Sequence, residues 1–233
     1  MTGHATNEGT YYVTPSCSSS EQFTDFWHTL LPHYSASDVE TINELYPDPD
    51  VFDSSIYTDT RDLSALGIGK QFKRLEASYA HYAYVCPVRQ TAEIVSSISE
   101  HEQPVWVFHW ALNSTVKGGA NHGDNMYYES FQDSITGISE GQREVSGFYH
   151  AYVTSFITKG DPNAIAGRWG QRPTWERYQS GKTKGDEKVM TFGLGNDERA
   201  GGVGKGIAAQ MRGSKWIRKE CEFWWKKSFD TEE

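Results

Sequence analysis

Two short segments carry residues that could move protons. GHATNEG (3–9) sets Glu8 in a tight loop near the chain start, and GGANHGDN (118–125) sets His122 in a glycine-rich one. A carboxylate and an imidazole can divide one task. The imidazole takes a proton from a nucleophile and passes it on, while the carboxylate fixes the tautomer and stabilises the imidazolium that forms. A plainer account also stands: a histidine between glycines is commonly a surface-loop residue, and Glu-Gly is commonly a turn. The residues alone leave both open.

Elements must position these loops. PVWVFHWAL (104–112) is a continuous run of β-branched and aromatic residues without alternation, the pattern of a strand buried on both faces of a parallel sheet. His122 follows that strand, and reactive side chains in α/β sheets sit on loops beyond the C-terminal ends of strands. Most of the remaining chain reads as helix. A capping box at Ser18–Glu21 opens a helix with Phe23, Phe26, Trp27, Leu30 and Leu31 inward, and Pro32 closes it. Val39, Ile42, Leu45 and Tyr46 mark a second. A third runs over 71–82 with Phe72, Leu75 and Tyr79 inward. Pro87 sits in the first turn of a fourth, with Val88, Thr91, Ala92, Val95 and Ile98 on one face. A helix over 142–159, a short strand KVMTF (188–192) and a last helix with Ile217, Cys221 and Trp224 inward complete the reading. One two-face-buried strand needs parallel neighbours, and few candidates stand out, so the sheet is expected to be truncated. Such a fragment should expose an apolar face around Val105 to Ala111.

Composition excludes several classes. A net charge of -9 offers no basic stripe for nucleic acid. No apolar run of 18 residues is present, so no helix spans a membrane, and the start MTGHATNEGT lacks the basic and apolar parts of a signal peptide. Three cysteines (Cys17, Cys86, Cys221) leave room for one bridge and an odd thiol. Asn113 begins an Asn-Ser-Thr triplet, a possible glycosylation site. No His-Glu-x-x-His or Cys-x-x-Cys spacing suggests a metal, and no cofactor is implied. GGVGKG (201–206) lacks the Ser/Thr that a phosphate loop carries after its lysine. Gly137-Ile138-Ser139-Glu140-Gly141 has the letters of a serine nucleophile elbow. That elbow needs a buried strand just before it, and FQDSIT is polar. Ser139 reads as a helix cap with Gln142.

Several segments, taken in order, resemble the C-terminal half of the type-B carboxylesterases, the α/β-hydrolase family that includes cholinesterases and fungal lipases. NEG with Glu8 resembles the family's acid loop, and HGDN with His122 its catalytic-histidine loop. VCPVRQ around Cys86 and ECEFWW around Cys221 resemble the two halves of a disulfide in the cholinesterase branch. FITKGDPN (156–163) and RPTWERY (172–178) resemble the segment after the histidine. The resemblance implies an α/β fold for residues 1–233, mostly helices around a truncated sheet, acting on small carboxylic esters through a triad whose acid is Glu8 and whose base is His122. It implies a Cys86–Cys221 bridge and a secreted parent. It also implies a serine and an oxyanion hole upstream of Glu8, so this chain is expected to be inactive alone. The other expectations are a non-catalytic, cholinesterase-like binding or structural piece or truncated product, and an independent helical domain.

Overall fold

The computed structural model describes residues 1–52, 54–98, 104–115, 118–179 and 187–228. In chain order they form β1 (Thr2–Ala5), α1 (Ser20–Leu30), α2 (Ala36–Leu45), α3 (Leu63–Leu66), α4 (Phe72–Ala80), a π-helical turn (His81–Val85) and α5 (Cys86–Ile98). Then follow β2 (Val107–Trp110), α6 (Asn125–Glu129), α7 (Asp133–Thr136), α8 (Glu140–Lys159), β3 (Lys188–Asn196), β4 (Lys205–Gly213) and α9 (Arg218–Lys227). The chain divides into two compact units. One holds Met1–Thr6 with Val88–Trp216, the other Asn7–Pro87 with Ile217–Glu233.

The first unit is built on a four-stranded sheet in the order β1-β2-β3-β4. β2 lies parallel to β1 and β3, and β4 runs antiparallel to β3. The unalternating strand is therefore central, as its sequence predicts. Its neighbours are ones that the sequence hides: β1 is only four residues long, and β4 begins inside the glycine-rich stretch read as a loop. On one face Ala5, Trp110, Phe192 and Ala209 pack against Val145, Tyr149 and Tyr152 of α8 and against Trp175. On the other, Val107 and Val189 pack with Ala92 and Tyr178. Val105, Val107, Trp110 and Ala111 are all buried. The exposed apolar face expected there is absent because α8 covers the Trp110 side while Ala92 of α5 and Tyr178 cover Val105 and Val107 on the other.

The RPTWERY segment is pinned rather than loose. The Arg172 guanidinium donates to the carbonyls of Pro162, Ile165, Ala166 and Trp169. The indoles of Trp106 and Trp175 donate to the carbonyls of Trp175 and Val107, which ties the segment to β2. In α5 the inward residues are Arg89 and Ala92, whereas Val95 and Ile98 are exposed, contrary to the apolar stripe read from sequence. Arg89 donates to the Ser214 carbonyl at 2.6 Å, and that bond fixes which stripe turns inward.

The second unit is helical. Phe23, Trp27, Ile42, Tyr46, Leu75 and Trp224 form its core. Arg74 is buried among them with its guanidinium 3.7 Å from the Phe23 ring centroid, and it donates to the Tyr46 carbonyl, Asn43, Ser20 and Gln71. The cap of α1 is Ser19, one residue beyond the expected Ser18, and it accepts from the Gln22 amide. Pro87 does lie in the first turn of α5, but no loop precedes it. The π turn joins α4 to α5 directly, taking up an extra residue where proline supplies no N–H. Cys86 and Cys221 are bridged across 135 residues of sequence, and Cys17 is a buried free thiol.

Candidate active site

His122 and Glu8 lie in different units, each on its own platform. His122 comes twelve residues after the end of β2 (122 − 110). Its loop is organised by Asp124. One carboxylate oxygen, Oδ2, accepts from the Asn121 amide at 2.8 Å and from the Ser114 hydroxyl; the other, Oδ1, lies 3.6 Å from the Arg199 guanidinium. Arg199 in turn lies over the rings of Tyr127 and Tyr128. Asn121 donates from its side chain to the Ser114 oxygen at 3.0 Å and to the Gly119 carbonyl at 3.3 Å. Gly123 holds a left-handed conformation, φ 78°, that lets the chain turn directly after the histidine. Asn121 and Asp124 are buried while His122 between them is exposed. The backbone is fixed and the imidazole is presented, which suits a residue that must pass protons to another molecule.

Glu8 comes three residues after the end of β1 (8 − 5) and is 6% exposed. Its neighbours are both tied to Glu76 of α4. The Asn7 side-chain amide donates to Glu76 Oε2 and the Gly9 backbone amide to Oε1, each at 3.1 Å. Gly9 lies so close to α4 that a Cβ there would fall 2.3 Å from the Glu76 carbonyl oxygen. Burial drives the Glu76 carboxyl up to about 8, the Asn7 and Gly9 bonds draw it back, and the nearby Glu8 charge raises it further. Neither Glu76 nor Asp124 stands out as functional in the sequence. One signal was there: Glu76 falls on the Phe72, Ala80 stripe of α4, a charged residue where the helix is otherwise buried.

The remaining motifs resolve structurally. Ser139 caps α8: its oxygen accepts from the Gln142 amide at 3.0 Å, and its hydroxyl donates to Glu198 at 2.6 Å. The residues before it form α7 rather than a strand, so no nucleophile elbow is built there. Lys205 and Gly206 belong to β4. Asn113 is exposed, and the Ser114 that follows it in the triplet turns inward to Asp124.

A second set of histidines lies on the sheet face away from α8. His4 and His109 are cross-strand neighbours with ring centroids 5.1 Å apart, and His109 stacks on Trp216 at 5.3 Å. The Thr6 hydroxyl meets His109 Nε2 at 2.8 Å, beside a cavity of about 520 Å³ that Arg212 and Lys215 also line. Burial, with help from Arg89, lowers His4 to about 4 and His109 well below the usual imidazole value. Both rings are neutral near pH 7, which is far from the midpoint a general base needs.

Comparison with known proteins gives the family and the fold. The model of the carboxylesterase family matches residues 1–224. Secreted lipase 4 of Gibberella zeae is 26% identical over 228 residues, 97% of this chain. The crystal structure of Aspergillus niger EstA superposes on 99% of the chain with a TM-score of 0.70 at 17% identity, which shows a shared fold. The chain spans 35% of the length of the lipase and 40% of that of EstA. Residues 1–224 carry the match and the sheet carries the fold: this chain belongs to the carboxylesterase family.

Proposed function

We propose that the chain supplies the acid and the histidine of a serine carboxylic-ester hydrolase, and that the nucleophilic serine and oxyanion donors come from sequence outside these 233 residues. His122 takes the serine proton as the oxygen attacks the ester carbonyl. It then protonates the leaving alcohol, and it repeats the exchange with water to release the acid. Glu8 orients the imidazole and stabilises its charged form. The observation that carries this reading is the His122 loop, where a buried Asp124–Ser114–Asn121 network holds an exposed imidazole beyond a central parallel strand. The substrates are small carboxylic esters. The Cys86–Cys221 bridge supports an oxidising compartment, and Asn113 is then accessible to a glycan.

A fluorophosphonate probe, which bonds covalently to an activated serine, tests the division of labour. The isolated chain is expected to remain unlabelled. Stoichiometric labelling would show that the nucleophile lies within it and would overturn the proposal.

A further inference from the structure

We propose that Glu76 is the positioning residue of the acid loop, holding Glu8 in place by gripping the residues on both sides of it. The inference rests on the reading of Glu8 as the triad acid and extends it to a residue that no sequence motif marks. A carboxyl offers two oxygens, and here each is used on one flank. Oε2 takes the Asn7 side chain and Oε1 takes the Gly9 backbone amide, both at 3.1 Å. Fixing the residue before and the residue after leaves Glu8 little backbone freedom. Gly9 gives a second, independent sign of the same seating. It has no Cβ where one would sit 2.3 Å from the Glu76 carbonyl and 3.2 Å from the Ala80 amide, so the loop rests directly on the backbone of α4.

An ordinary buried glutamate could be explained by one ion pair, as Arg74 in the same helix is explained by its acceptors. Glu76 is different. It is 2% exposed, and the charged or titratable groups acting on it are Glu8, Lys73 and Tyr57. Both of its described hydrogen bonds go to the acid loop rather than to the helices around it. Burying a carboxyl is unfavourable unless its bonds are made, so the loop and the helix hold each other.

Amide hydrogen exchange at Gly9, measured on the chain, is the test. Glu76→Ala removes both acceptors and is expected to speed Gly9 exchange by about tenfold or more, with β2 and β3 amides unchanged as the sign that the protein remains folded. Glu76→Gln should restore near-native exchange, because its carbonyl still accepts from Gly9 and its amide can donate to an Asn7 side chain turned about. If Glu76→Ala does not fold, Asn7→Ala breaks one bond alone and should speed Gly9 exchange by a smaller factor. Unchanged Gly9 exchange in Glu76→Ala, or in Asn7→Ala where that variant stands in, would overturn the inference. So would failure of Glu76→Gln to rescue. The reading of Glu8 fails separately, if Glu8→Gln leaves ester hydrolysis unchanged in a polypeptide that joins this chain to a serine-bearing segment. Gly9 exchange does not depend on that result.

Discussion

The two units hold their candidate site residues by opposite means. In the sheet-based unit, His122 is exposed and its loop is anchored from within by hydroxyl and amide groups converging on Asp124. In the helical unit, Glu8 is buried and its loop is anchored from beneath by a single carboxyl. The sheet unit draws its stability from strand pairing and an aromatic core around Trp110, Tyr149 and Phe192. The helical unit adds a covalent bridge. The contrast is one of exposure: a side chain presented to solvent on a fixed backbone in one unit, and a carboxyl shielded from water in the other.

The largest expected difference between the units follows from the bridge. Replacing Cys86 and Cys221 together with Ala should cost the helical unit up to about 5 kcal/mol, the loop-closure figure for so long a separation. Hydrogen exchange resolves where the loss falls. Protection should drop in α2 and α9 and persist in β2 and β3. An equal loss in both would show that the bridge does not stabilise the helical unit selectively.

A smaller difference is expected with pH. The Glu76 carboxyl titrates at about 8 when folded and near 4.5 when unfolded. An acid raised by folding binds its proton more tightly in the folded state. Its contribution is therefore full below about 4.5 and lost as pH climbs through about 8. Between those limits wild-type stability should decline relative to Glu76→Gln by on the order of a few kcal/mol. Parallel denaturation profiles for the two proteins from pH 4.5 to 8 would show that Glu76 titrates normally.

The smallest effect concerns Ser139. Its replacement by Ala should cost about 1 kcal/mol through loss of the α8 cap, with no change in fluorophosphonate reactivity. Lost labelling in Ser139→Ala, where wild type labels, would return the motif to catalysis.

Much of this was legible in the sequence where a pattern reflects burial on its own. The unalternating run at 104–112 announced a central parallel strand, and the glycine-bounded Glu8 and His122 announced loops. The Cys86–Cys221 pairing came through the resemblance of its flanks. What stayed hidden depends on partners distant in sequence. β1 is too short to show a period, and it is a strand only because β2 lies beside it. Val95 and Ile98 looked inward until Arg89 reached Ser214 and set the helix face. Glu76 and Asp124 looked like ordinary polar residues, because their role lies in what they accept from loops rather than in their own spacing.

The proposed proton transfer by His122 is tested most directly by ester hydrolysis in a polypeptide joining this chain to a serine-bearing segment, with and without His122→Ala. In the His122→Ala protein kcat is expected to fall about a thousandfold or more while KM changes little. A kcat within about twofold of the unsubstituted protein, too small a change for a lost catalytic base, would contradict it.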